Sequence, residues 1–310
     1  MDIQHAPALS IPFPEHISPH AGITETRLLD YMDATALLPA VLKAKYAQQG
    51  FAQTAARYFP LATEEQLLLF SKFLLWKTLC EDLTEDSDGP SILFIKERYH
   101  AIWRGAPLHA DDNAAAHVLA DFRAAGIIEE LSVGWRERFI EAISDYLEGR
   151  SLEAPYRQAK QLPALKDYLL IREKAAGQHV LNMLAEIAAG FVLPNSIYEH
   201  PVIQRLLVLS HRLIAWCQDY YAIEKESAEN DVMNIIPILQ HQFQLARKAA
   251  SRKLVSMHEA DLNEFATLRT VLPDFEPYDE QVAAYIDHIK NIISGQFYAN
   301  QQAFSYATTA

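Results

Sequence analysis

Cysteine is nearly missing from this chain: Cys80 and Cys217 are the only two in 310 residues. Two cysteines so far apart make neither a disulfide framework nor a zinc-binding pattern, and a reducing, cytoplasmic setting is the expectation. Glycine is scarce too, with ten residues. Few glycines beside abundant Ala, Leu, Ile, Glu and Gln argue against a sheet protein and for helices. No apolar run approaches the length of about 18 residues that a membrane-spanning helix needs. The opening stretch MDIQHAPALSIPFPEH has no basic segment leading into an apolar one, so no secretory signal is expected. Positive charge is also short, with 27 basic residues against 40 acidic and a formal net charge of −13. Such a chain is a poor candidate for nucleic acid or an anionic membrane surface. A local basic pocket for a phosphorylated substrate stays open to it.

What the chain does have is apolar mass and helical periodicity. Half of its residues are hydrophobic, enough for a large core. Residues 1–22, with four prolines, three histidines and a glycine, read as an irregular arm. The pattern then predicts helices near 24–49, 52–58, 63–86, 92–104, 112–126, 131–149, 163–190, 200–228, 231–258, 260–271 and 277–305. Breaks are expected at Pro60, at residues 87–90, at Gly105 with Pro107, at Gly126, at Gly149 with Pro155, and at Pro194. No fixed-period repeat and no long polar linker divides the chain, so residues 23–310 read as one all-α domain.

Three segments carry chemistry. In FLLWKTLCEDLTEDSDG (73–89) an apolar helix runs into acidic residues, although a helix C-terminus already carries partial negative charge. At 100° per residue Asp82 shares a face with Leu75, Thr78, Leu79 and Asp86. Such a carboxylate pair can hold hard cations at the mouth of an oily pocket, or the helix can simply fray into a solvated acidic loop. In HRLIAWCQDYYAIEKESAEND (211–231), Asp219 and Glu226 are nearly eclipsed, Gln218, Ala222 and Glu226 form a second row, and Lys225 adjoins Glu226. Taken alone this is an amphipathic surface helix as readily as a metal site. In LPALKDYLLIREKAAGQHV (162–180), Arg172 precedes a softening at Ala175-Ala176-Gly177, and its guanidinium suits a phosphate. HADDN (109–113) reads as a helix N-cap.

Together these segments resemble the bacterial class I terpene synthases along the whole chain. The arm IPFPEHISPHAG (11–22) is similar to the proline-rich segment that caps the family's active site. The acidic run at 81–86 falls on the first aspartate-rich metal motif, and Arg172 on the diphosphate-sensing arginine. The stretch VLPNSIYEHPVIQRLLVLSHRLIAWCQDYYAIEKE (192–226) resembles the approach to the second motif, Asn-Asp-x-x-Ser-x-x-Lys-Glu, here Gln218-Asp219-Tyr-Tyr-Ala222-Ile-Glu-Lys225-Glu226.

The resemblance implies a single-domain class I terpenoid synthase-like bundle around an apolar cavity. It also implies three Mg²⁺ ions and ionisation of an isoprenyl diphosphate, farnesyl diphosphate first and geranylgeranyl diphosphate next, followed by cyclisation. Metal ligation falls to Glu81, Asp82, Glu85 and Asp86 and to Gln218, Asp219, Ala222 and Glu226. Substrate binding falls to Arg172, Lys225 and Tyr306. Catalysis falls to Arg172 and to Ala176, whose carbonyl matches the one that meets the ionising substrate. Asp82 is the expected leading ligand, because that frame turns Leu75 and Leu79 to the pocket and keeps Lys77 from a carbocation. Phe73, Trp76, Trp216, Tyr220 and Tyr221 are candidate aromatic faces for that cation. A homodimer is the assembly to expect.

This sequence departs from the family at Gln218 for Asn, at Ala222 for Ser, and at Ser305 for the arginine beside Tyr306. Those losses keep a second expectation alive, a catalytically silent relative that acts as a binding protein. A prenyl-chain elongating enzyme would need a second aspartate-rich motif, which QDYYAIEKE is not.

Overall fold

The computed structural model describes residues 8–35 and 38–309, with side chains through residue 304. Tyr306 therefore lies outside the described side chains. Among the described residues there are fifteen helices and no strand. No described helix is long and apolar enough to cross a membrane.

Five helix starts are set by short polar side chains that satisfy the first free N–H groups. Thr63 and Gln66 form a reciprocal capping box at α4 (Glu64–Thr84). Asp88 caps α5 (Gly89–Trp103) and Asn113 caps α6 (Ala114–Arg123), as HADDN suggested. Ser132 caps α8 (Val133–Ala159), and Asn234 caps α13 (Ile235–Phe243). The chain leaves three helices through left-handed residues that are not glycine, namely Lys160, Asn230 and Gln244.

Four expected boundaries are corrected. The helix expected over 24–49 is two, α1 (Ala21–Ala34) and α2 (Ala40–Ala47), because Pro39 stands at the entry to the second. Conversely, α8 runs straight through Gly149 and Pro155. Gly149 is a packing gap rather than a break: a Cβ there would lie 2.3 Å from the backbone nitrogen of Ala175. The helix expected over 163–190 divides into α9 (Leu165–Ala175) and α10 (Gln178–Ala189), with Gly177 at φ 67° between them. The break expected near 259 falls instead at 244–246, between α13 and α14 (Arg247–Thr270). Two short turns, α7 (Gly126–Glu129) and α11 (Asn195–Tyr198), the short α3 (Phe51–Tyr58), and the long α12 (Pro201–Glu229) and α15 (Asp279–Thr309) complete the order.

The centre of the bundle is α12, which packs on α10, α14 and α15, while α8 packs on α5 and α9. Between α4, α5, α6 and α8 lies an aromatic core. Phe73 stacks on Trp76 with centroids 5.4 Å apart, and Phe122, Trp103 and Trp135 stack on Phe139 at 4.8–5.2 Å. The described part of the arm is pinned across α3 and α15. Ser294 donates to the Pro14 carbonyl at 2.8 Å, Ser18 donates its backbone N–H to Ala56 at 3.0 Å, and Arg57 pairs with Glu15 at 2.8 Å. Leu9 ends up buried against Cys217 and Phe297.

Candidate active site

The C-terminal ends of α4 and α12 lie at the same end of the bundle. Glu85 and Asp86 from the first, with Glu229, Asn230 and Asp231 after the second, line one solvent-open recess of about 210 Å³. Arg157 and Lys160 from the end of α8 supply its positive side. Two acidic helix ends face each other only if cations offset them, because both carry the negative end of the macrodipole.

Deeper in, Arg172 of α9 is the hub. Its Nη2 donates to Gln218 Oε1 at 3.1 Å and to Asp219 Oδ1 at 3.0 Å, while its Nε is buried with no partner. Burial works against the guanidinium charge, but the Asp219 carboxylate outweighs it and holds the arginine firmly protonated. Asp219 is fully buried and also accepts from the Tyr168 hydroxyl and from the backbone N–H of Ile235 at 2.8 Å. This carboxylate ties α9, α12 and α13 together. Asn234 bridges its backbone carbonyl, at 2.8 Å, to Glu226 Oε2, at 2.7 Å. Burial, reinforced by nearby Asp219, pushes the Glu226 carboxyl up to about 7, so it is a group that a nearby cation would stabilise. Gln218 reaches on to Gln296 of α15 at 3.4 Å, and Gln296 accepts from the Tyr58 hydroxyl.

In the first motif Glu81 and Asp82 have different partners. Asp82 points away from Arg172 and accepts from Lys45 Nζ at 2.6 Å and Tyr46 OH at 2.7 Å, fastening α2 to α4. One residue back, a rotation of about 100°, Glu81 stands among Lys77, Arg150 and Arg172. Burial would raise its carboxyl, but those three cations outweigh it and hold the group below its ordinary value. Its side chain nevertheless keeps 40% of its surface open to solvent, which moderates that burial. Lys77, expected to face away, is turned inward and pairs with Glu81, which is how an ammonium is tolerated there.

Other expected residues scatter. Ala176 closes α9 beside Gly177, one turn from Arg172, whose carbonyl its N–H meets at 3.1 Å. Ala222 brings no oxygen. Lys225 projects outward, 77% exposed and 3.9 Å from Glu229. Phe73 and Trp76 belong to the aromatic core, and Trp216 donates to Asp261 at 2.8 Å on the α14 side. Tyr220 and Tyr221 pack beside Leu9 and Phe297.

Three residues were missed: Tyr168, Asn234 and Arg150. Arg150 pairs with Glu153 at 2.5 Å and donates to Thr84 at the end of α4, at 3.0 Å. Its signal was obscured because the helix was expected to end at Gly149. The exposed carboxylates of Asp274, Glu276 and Asp279, with oxygens within 4.8 Å, lie near His200 at the other end of α12. That is roughly 39 Å along the helix from Glu226 at 1.5 Å per residue, so they are no part of this constellation.

Arg172, one turn before the α9–α10 break, thus joins Gln218 and Asp219 of α12 and faces the charge of Glu81 on α4. Residues 72–264, more than half of the chain, match the family described as terpene synthase family 2, C-terminal metal binding, and the chain belongs to that family. It is thereby a terpene cyclase by class, a carbon–oxygen lyase acting on phosphates. Germacrene A synthase of Nostoc punctiforme is 26% identical over 97% of this chain and 94% of its own length. A (+)-T-muurolol synthase of Roseiflexus castenholzii is 27% identical over 89% and 86%. In fold, the linalool/nerolidol synthase of Streptomyces clavuligerus superposes with a TM-score of 0.83 at 20% identity, over 94% of this chain and 99% of that one.

Proposed function

We propose that this chain ionises a linear isoprenyl diphosphate and cyclises the carbocation to a terpene hydrocarbon or alcohol, releasing diphosphate. Farnesyl diphosphate is the first choice of substrate and geranylgeranyl diphosphate the next. The observation that carries the reading is the unpartnered, buried Nε of Arg172, whose Nη2 is held by Gln218 and Asp219 of the second motif. A buried guanidinium donor without a partner costs free energy that an incoming phosphate oxygen recovers. The name of the Roseiflexus relative specifies cyclisation of (2E,6E)-farnesyl diphosphate, which supports the choice of substrate.

The donor set fits hard divalent cations, since every candidate ligand is a carboxylate or amide oxygen and none is sulfur or imidazole. Glu81, Glu85 and Asp86 would hold magnesium from α4, and Gln218 and Glu226 from α12, for three ions in all, with Asp219 a ligand only on giving up donors among Arg172, Tyr168 and Ile235. Asp82 would join them only on leaving Lys45 and Tyr46, and at Ala222 a water would stand in for an oxygen. Bound magnesium supplies positive charge to the leaving diphosphate. Arg172 would orient that diphosphate and take up its developing charge. The Ala176 carbonyl, at the end of α9, would turn its negative end toward the ionising carbon.

The Lys77–Glu81 pair and the missing oxygen at Ala222 favour a second reading, a silent relative that binds the diphosphate without turnover. Incubation with geranyl, farnesyl and geranylgeranyl diphosphates plus Mg²⁺, with volatiles identified by mass spectrometry, separates the two. Cyclic fifteen-carbon products that vanish with chelator are expected. Binding without product from any substrate would select the silent relative.

A further inference from the structure

Three cations surround Glu81, and two of them are already matched. Arg150 has Glu153 at 2.5 Å, and Arg172 has Asp219 at 3.0 Å. Among the described residues Lys77 forms an ion pair with Glu81 alone. Its side chain is 16% exposed, and its four-carbon stem runs past the α9–α10 break. A Cβ at Gly177 would lie 3.2 Å from Lys77 Cε and 3.2 Å from the Tyr146 ring, so glycine there leaves room for both. The ammonium lies 5.9 Å from the centre of that ring. Lys77 thus passes Gly177 and Tyr146 and delivers its charge at Glu81.

Two other cations expected around the leaving group are not available to it. Lys225 projects outward, and serine occupies position 305. An ammonium has three N–H donors on a flexible stem, and a phosphate accepts it as a point charge without a fixed fork.

We propose that Lys77 is a substrate-binding residue, whose ammonium leaves Glu81 for a diphosphate oxygen once a divalent cation draws the Glu81 charge. This rests on the site reading above. The exchange conserves charge: the carboxylate trades an ammonium for a metal ion, and the ammonium trades a carboxylate for a phosphate. It also keeps the ammonium at the diphosphate end, away from the hydrocarbon, where a fixed positive charge would oppose ionisation.

The test uses inorganic diphosphate titrated into the full-length protein by calorimetry. With Mg²⁺ present, Lys77→Met weakens binding at least tenfold, and Lys77→Arg recovers most of that loss. Without Mg²⁺, Glu81→Gln frees the ammonium and tightens binding severalfold, a measurement that does not depend on how Lys77→Met folds. Unchanged or tighter binding by a folded Lys77→Met protein, or no gain in Glu81→Gln, overturns the proposal and leaves Lys77 as an internal counterion. A wild-type protein that fails to bind diphosphate at all overturns the site reading itself, and the role of Lys77 with it.

Discussion

Replacing Asp219 by alanine tests whether this residue is chiefly a structural anchor. Its carboxylate is fully buried and holds three donors from three segments: the Arg172 guanidinium, the Tyr168 hydroxyl and the Ile235 N–H. Alanine leaves a guanidinium that is only 17% exposed without its partner charge. Breaking a buried ion pair from one side costs about 3–5 kcal/mol, because the remaining charge stays desolvated. Two further donors also lose their acceptor, while relief of carboxylate desolvation offsets part of that loss, so the total stays near this range. Asparagine keeps an acceptor for Tyr168 or Ile235 and forfeits only the charge, which puts it at about 1–3 kcal/mol. Urea unfolding followed by circular dichroism reads both. With a slope of about 3 kcal/mol per molar, Asp219→Ala lowers the midpoint by more than about 1 M and Asp219→Asn by less. A midpoint for Asp219→Ala within about 0.3 M of wild type would refute the anchoring role.

Gly149→Ala should cost at least about 2 kcal/mol, since its methyl would meet the Ala175 backbone and neither helix can yield without moving the other; a thermal melt that is unchanged would count against it. Glu186 is 1% exposed, and burial pushes its carboxyl up to about 7 against the pull of Arg138. A raised carboxyl stabilises the fold fully below its unfolded value near 4.5 and loses that contribution as pH rises through about 7. Wild type should therefore lose roughly 2–3 kcal/mol relative to Glu186→Gln between pH 4.5 and 7.5; parallel stability–pH curves for the two proteins would show the assignment to be wrong.

The helical class and many helix starts were legible because they depend on local signals, namely apolar spacing and short polar caps such as Asn113. Gly149 misled because glycine at a break and glycine at a close helix crossing look alike in one sequence. Arg172 and Asp219 could be singled out, but not their bond, which joins residues on separate helices. The bonds of Asp82 to Lys45 and Tyr46 on α2 come from outside the motif, so no reading of the motif alone could foresee them. Arguments about Lys77 in isolation could not foresee that Glu81, one turn on, would neutralise it.

The second motif holds two kinds of residue within about two turns of helix. Asp219 is locked into the interior by its three donors, whereas Lys225 is largely exposed, Ala222 has no polar side-chain atom, and Gln218 holds single bonds to Arg172 and Gln296. Mutation is therefore filtered unevenly along the motif. Changes at 218, 222 or 225 alter chemistry while the bundle survives, but changes at 219 threaten the bundle itself. A lineage built on this scaffold can explore new metal stoichiometries, new leaving-group contacts or the loss of turnover by small steps, without passing through unfolded intermediates. The same asymmetry makes positions 218 and 222 the safest places to engineer.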